Sequence, residues 1–155
     1  MGIDVAIEST IDRPPDEVFA AIADLDGWPD WLVASGIRAV RRDRTGEPVA
    51  GERLVVEQDA AGRSAIFEAE VVALEPGSRF ALRGRDREGV TIDIEAVVSA
   101  AAESGGAATD LWWAIRIGLP LRYRMFESMA RPQVERAALL DIEALRVRLE
   151  AAGRD

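Results

Sequence analysis

Apolar residues recur at every second position through most of this chain and at three- to four-residue steps near its end. That change of period restricts the fold more than any other feature. Ile3, Val5, Ile7 and Ser9 fall on one side of the opening segment, with Asp4, Ala6, Glu8 and Thr10 on the other, the pattern of a half-buried strand. From Ile37 to about Ile117 the alternation continues in a six-strand meander. Turn chemistry interrupts it at Thr45-Gly46-Glu47-Pro48, Ala61-Gly62, Glu75-Pro76-Gly77, Glu88-Gly89 and Glu103-Ser104-Gly105-Gly106. Between Leu121 and Ala152 the period lengthens: Val134, Ala138, Ile142, Leu145 and Leu149 form one stripe, with Asp141, Glu143, Arg146 and Glu150 off it. This is a long amphipathic helix. Pro132 predicts a break or kink near Arg131, with the proline in a first turn.

Local signals fill in the rest. Arg13-Pro14-Pro15-Asp16-Glu17 opens a short helix, with prolines in its first turn and acids where the helix dipole favours them. Val18, Phe19, Ile22 and Ala23 are its apolar face, and Trp28-Pro29-Asp30-Trp31-Leu32 follows as an aromatic knot. One hairpin can be registered from side chains alone. Pairing Asp86 with Val90 sets Arg83 opposite Asp93 and Leu82 opposite Ile94, so charges pair outside while aliphatics meet inside. Leu111, Trp113, Ile115 and Ile117 share a face of the last strand, against Asp110, Ala114 and Arg116. An antiparallel sheet with a helix on one face is an α+β domain, here expected as a single unit over 1–155.

The chain contains no Cys, His, Lys or Asn, and all 19 basic residues are Arg. Thiolate, imidazole and Schiff-base chemistry are therefore excluded, as are Cys-based zinc sites. Carboxylates, Arg, hydroxyls, Tyr123 and the backbone are what remains, and no metal or cofactor is expected. The net charge of −9 opposes binding to phosphate backbones, so no nucleic-acid partner is expected. No apolar run approaches the roughly 20 residues of a membrane span, and no signal pattern opens the chain. A cytoplasmic protein is the expectation.

Ile11-Asp12-Arg13-Pro14-Pro15-Asp16-Glu17-Val18-Phe19 followed by Trp28-Pro29-Asp30-Trp31 resembles the opening of the bacterial polyketide cyclase/dehydrase (SRPBCC) group. Val49-Ala50-Gly51-Glu52-Arg53, Leu74-Glu75-Pro76-Gly77-Ser78-Arg79-Phe80 and Gly106-Ala107-Ala108-Thr109-Asp110-Leu111 are similar to its later landmarks, in order, as is the helix end Ile142-Glu143-Ala144-Leu145. The resemblance implies the START/Bet v 1-like helix-grip fold. In that fold a curved antiparallel sheet of about seven strands wraps a long C-terminal helix, with two short helices after strand 1. It also implies a deep cavity lined by Phe67, Ala69, Val71, Phe80, Leu82, Ile92, Ile94, Trp113 and Ile115 and closed by Tyr123, Phe126 and Met129. Ala69 and Ala73 would leave room for a ligand. The expected partner is a hydrophobic or aromatic small molecule, polyketide- or lipid-like, and a homodimer is admitted.

Several residues carry two readings. Trp28 and Trp31 either gate the cavity or staple the short helices to the sheet, the stapling reading being preferred. Trp113 serves as a ligand platform or as core, and Trp112, on the opposite parity, as a contact patch. Glu68 and Glu70 share a strand face and are read as solvated; the row Arg79, Arg83, Arg85 and Arg87 is read as an outer ion-pair ladder. Tyr123, flanked by Arg116 and Arg122, is the candidate proton donor for a metal-independent cyclase-like reaction, against a simple packing role. No spacing matches a catalytic motif, so the reading leans towards binding without catalysis. The alternative is a protein-interaction module of the co-chaperone-like type.

Overall fold

The computed structural model describes residues 2–60 and 62–154. Seven strands form one open, curved antiparallel sheet: β1 (Gly2–Ile11), β2 (Ile37–Arg42), β3 (Arg53–Ala60), β4 (Arg63–Glu75), β5 (Arg79–Arg85), β6 (Thr91–Ala100) and β7 (Thr109–Gly118). Their order is β1-β7-β6-β5-β4-β3-β2. The meander thus lies in chain order, and the first strand closes onto the last along its whole length, from Gly2 opposite Gly118 to Ile11 opposite Thr109. Of the turn signals, Ala61 falls outside the described residues.

After β1 come α1 (Pro15–Ala23), a 3₁₀ turn (Leu25–Gly27) and the single-turn α2 (Trp28–Trp31). Prolines start both helices, where a missing N–H removes no intrahelical bond. Val18, Phe19, Ile22 and Ala23 are buried, α1 lying against β5, β6 and β7. Gly36 then turns the chain into β2 with φ +78°, and a Cβ there would stand 1.8 Å from the Asp59 carbonyl oxygen. Only glycine fits that approach.

The β5–β6 hairpin has the register read from its side chains: Arg83 opposite Asp93, Leu82 opposite Ile94, with Asp86 and Val90 closing the turn. Arg83 Nε donates to Asp93 at 2.7 Å, and Arg79 pairs with Glu95.

Two expectations need correction. The last helix, α3 (Glu127–Ala152), runs through Pro132, its sixth residue, and the break comes earlier, at a 3₁₀ segment (Leu121–Phe126). Ser128 and Pro132 are both exposed, so water can serve the Ser128 carbonyl that the ring leaves without a donor. Ala73 does not face inward. A bulge between Val71 and Ala73 inverts the parity of β4, so that Ala73 opposes Ala81 in the outward row of Glu95, and Leu74 opposes Phe80 instead.

Within the sheet α3 packs chiefly on β1, and it also touches α2. Ala138, Asp141, Ile142 and Leu145 are buried. Asp141 lies off the apolar stripe, yet its two carboxylate oxygens accept the backbone N–H groups of Ala34 (2.8 Å) and Ser35 (3.1 Å). Burial raises its pKa above the ordinary aspartate value, and these hydrogen bonds oppose the rise.

Candidate ligand site

The inward faces of the strands come together as rows. Leu54, Ala69, Gly84, Ile92 and Ile117 form one row; Val71, Leu82, Ile94, Ile115 and Val5 form the next. Phe80, Ala96, Trp113 and Ile7 form a third, and Val56 lies beside Phe67. The predicted lining residues Phe67, Ala69, Val71, Phe80, Leu82, Ile92, Ile94, Trp113 and Ile115 are all buried on this one face. Ala69 and Gly84 put its smallest side chains side by side, and a Cβ on Gly84 would come within 3.3 Å of Phe67 Cβ.

One end of the interior is filled by aromatics. Trp28 meets Phe80 and Trp113 edge-on, with ring centroids 6.1 and 6.4 Å apart, and Trp31 meets Trp113 at 5.5 Å. Trp28 donates its indole N–H to the Ile22 carbonyl (2.8 Å), tying α2 back to α1. Trp31 and Trp113 differ from it. They are 3% and 0% exposed, and neither indole N–H has an acceptor among the described residues. Buried donors in proteins are nearly always paired, so two adjacent orphans mark this spot.

The other end of the strands is open and polar-rimmed. A cavity of about 100 Å³ lies there among Phe67, Val90, Ile92 and Ile117, with Gln58, Arg63 and Asp86 at its edge. It is smaller than the roughly 150 Å³ that accepts benzene in an engineered core. The guanidinium groups of Arg122 and Arg63 stand 4.9 and 5.4 Å from the Tyr123 ring centre, cation–π distances. Arg122 also donates to the Glu88 carbonyl (2.6 Å), and Arg63 pairs with Asp86 and Glu88. Asp86 is held in place by the N–H groups of Glu88 and Val90, each 2.9 Å from Oδ1.

The predicted residues do not all assemble. Tyr123 and Arg122 meet, but Arg116 is on the outward face, 75% exposed and paired with Asp4 at 2.9 Å. Phe126 and Met129 do not cover the interior; both are exposed, Phe126 at the end of the 3₁₀ segment and Met129 on the solvent side of the first turn of α3. Glu68 is exposed, and Glu70 lies 3.9 Å from Arg53. Trp112 is on the outward face beside a trough of about 400 Å³ floored by Ala81 and Ala114.

Two further features escape a reading of the sequence. Arg42, at the β2 end of the first inward row, is buried against Glu52. A cleft of about 530 Å³ also lies between α1 and two loops, with Phe19, Ala23, Leu74 and Pro48 inside and Asp16, Asp24 and Glu47 around it. Among the described residues no group of three or more carboxylates is placed to hold a metal ion, and no helix is long and apolar enough to cross a membrane.

Comparison with known proteins agrees with this architecture. Residues 2–150 match the family model described as polyketide cyclase/dehydrase and lipid transport. A START superfamily protein from Mycobacterium smegmatis superposes with TM-score 0.76 at 15% identity, covering 97% of this chain and 99% of that one. An aromatase/cyclase from a Streptomyces species gives 0.75 at 18%, covering 97% and 94%. A protein from Deinococcus radiodurans gives 0.69 at 20%, covering 96% and 98%. None of the curated proteins compared with the chain matches it.

Proposed function

The chain belongs to the polyketide cyclase/dehydrase and lipid transport family, and from that premise we propose that it binds a hydrophobic or aromatic small molecule between the inward face of the sheet and α3. One observation carries the reading: two indole N–H donors, on Trp31 and Trp113, lie unpaired inside an otherwise apolar interior. Leaving such donors unsatisfied costs about 1–3 kcal/mol each, and a ligand oxygen between them would recover that cost. The ligand is therefore an apolar body bearing a carbonyl or hydroxyl oxygen, the chemistry of a polyketide-like aromatic ketone or phenol.

Entry is at the open end beneath Tyr123. The cavity there is small, so the ligand must widen it. The architecture supports this, because α3 grips the sheet chiefly through β1, while the cavity is walled by Phe67 of β4 and Ile92 of β6. We read the protein as a binder without catalysis. Tyr123 and Arg122 form one polar pair at the rim, and Arg116, the third candidate, faces the opposite side of the sheet. A second reading, a protein-interaction module, is favoured by the half-exposed Trp112 beside its outward trough.

Native mass spectrometry of protein purified from its own cells tests the main reading. A stoichiometric apolar molecule is the expected result. Ligand-free protein that also fails to bind 2-acetonaphthone up to its solubility limit would reject it.

A further inference from the structure

Charge is not spread evenly over this acidic chain. Over most of the sheet, Arg85 excepted, and in the C-terminal half of α3 the arginines are matched to carboxylates: Arg83 to Asp93, Arg79 to Glu95, Arg116 to Asp4, Arg38 to Glu57, Arg146 to Glu143 and Glu150. At the open end the pattern fails. Among the described residues Arg87, Arg122, Arg124, Arg131 and Arg136 have no carboxylate within 4 Å. Arg87 lies in the β5–β6 turn, whose Glu88 carbonyl is bonded by Arg122, so the turn and the segment before α3 form one continuous edge. The nearby acids are Asp86 and Glu88, both already paired with Arg63, and Glu127 and Glu135.

The same edge carries a cluster of large, strongly exposed apolar side chains. Leu121 is 78% exposed, Met125 76% and Met129 66%, with Phe126 half-exposed beside them. The stripe continues along the solvent side of α3 through Arg136 to Leu140, opposite the buried Ala138 and Leu145. Apolar groups of this size standing in water next to unpaired guanidinium groups are the composition of an interfacial segment, in which the aliphatic tips enter acyl chains while the arginines meet phosphate. A protein surface would supply carboxylates at fixed points. A run of arginines at irregular spacing is suited instead to mobile phosphate headgroups, which can move to each charge.

We propose that the edge formed by Leu121, Met125, Phe126 and Met129, with Arg87, Arg122, Arg124 and Arg131, docks on an anionic lipid surface. The net charge of the whole chain opposes this docking, and local segregation of unpaired arginines at one end overcomes it. Docking there sets the rim around Tyr123 against the membrane, though the inference stands apart from whether the interior holds a ligand.

Co-sedimentation with phosphatidylcholine vesicles, with and without phosphatidylglycerol, tests it. The expected result is binding to the phosphatidylglycerol-containing vesicles alone, weakened by added salt. It should fall about tenfold in Leu121→Ser/Met125→Ser and again in Arg124→Glu/Arg131→Glu. These side chains are exposed, so both variants should keep the wild-type thermal transition, which is measured alongside. Absence of binding to anionic vesicles, or binding unchanged in both variants, overturns the inference. A lipid-free dimer dispersed by Leu121→Ser/Met125→Ser overturns it too, because the edge then belongs to a second copy of the chain.

Discussion

Arg42 and Glu52 form an ion pair with side chains only 2% and 4% exposed, Nε donating to one carboxylate oxygen at 2.6 Å and a terminal nitrogen to the other at 3.0 Å. Arg42 also reaches Asp26 and the Gly46 carbonyl, both at 2.9 Å, so one guanidinium joins β2, the β2–β3 loop and the turn before α2. The arginine hydrogen bond holds the Glu52 carboxyl below the ordinary glutamate pKa, and burial opposes it less strongly.

Removing one partner strands the other in the interior. Glu52→Gln is expected to destabilise the fold by about 3–5 kcal/mol, read as a lower urea midpoint. The pH sign follows from the lowered pKa. The stabilisation is complete above the unfolded value near 4.5 and is lost as pH falls through the folded value below it. Urea midpoints measured from pH 6 downwards, roughly the range over which carboxylates titrate, should show a loss that Glu52→Gln no longer shows. A parallel pH dependence in the variant contradicts the assignment.

Asp141 has the opposite sign. Its folded pKa lies above 3.8 because burial disfavours the anion, so the folded state binds this proton more tightly than the unfolded chain. The Asp141 contribution should therefore weaken as pH rises from about 3.8 through the folded pKa. At neutral pH Asp141→Ala should still destabilise, by about 1–3 kcal/mol, since the Ala34 and Ser35 N–H groups lose their acceptor. Amide exchange at those two positions should accelerate in the variant; unchanged exchange would show that water replaces the carboxylate.

These two residues also mark what a sequence can disclose. The strands, the hairpin register and the inward set were legible because each is a local pattern: alternation places Leu82 and Ile94 on one side whatever lies elsewhere in the chain. Arg42 and Asp141 were not, because their burial depends on partners that only the fold brings near, and Asp141 reaches across more than 100 positions to Ala34. Ala73 was misplaced for a related reason, since one extra residue in β4 inverts a parity that counting by twos assumes constant. At the site, Trp113 was assigned inward by parity, but that Trp31 would stand beside it with both N–H groups unpaired is a tertiary fact.

Gly36 gives a backbone test. An alanine there combines positive φ with a Cβ 1.8 Å from the Asp59 carbonyl oxygen, and the same peptide unit accepts the Asp59 N–H at 2.8 Å. Gly36→Ala should cost at least about 2 kcal/mol, seen in thermal unfolding. Gly46→Ala, with positive φ but nothing within 4 Å, should cost about half as much. Equal losses would mean that the Asp59 contact yields without cost.

The indole pair gives the sharpest test of the ligand reading, because hydrophobic fit and hydrogen bonding can be varied separately. 2-Acetonaphthone and 2-ethylnaphthalene have nearly the same shape, but only the ketone offers an acceptor. If the N–H groups of Trp31 and Trp113 converge on a ligand oxygen, the ketone should bind about tenfold more tightly, as one hydrogen bond to an otherwise unsatisfied buried donor is worth about 1–1.5 kcal/mol. Trp31→Phe and Trp113→Phe should each narrow that ratio, and Trp28→Phe should leave it unchanged because the Trp28 N–H is already committed to Ile22. Titration followed by intrinsic fluorescence measures all of these constants, with a wild-type-like thermal transition confirming that each variant is folded. Equal binding of the two naphthalenes by the wild-type protein would leave an apolar pocket without the proposed donors, whereas no binding of either would remove the pocket itself.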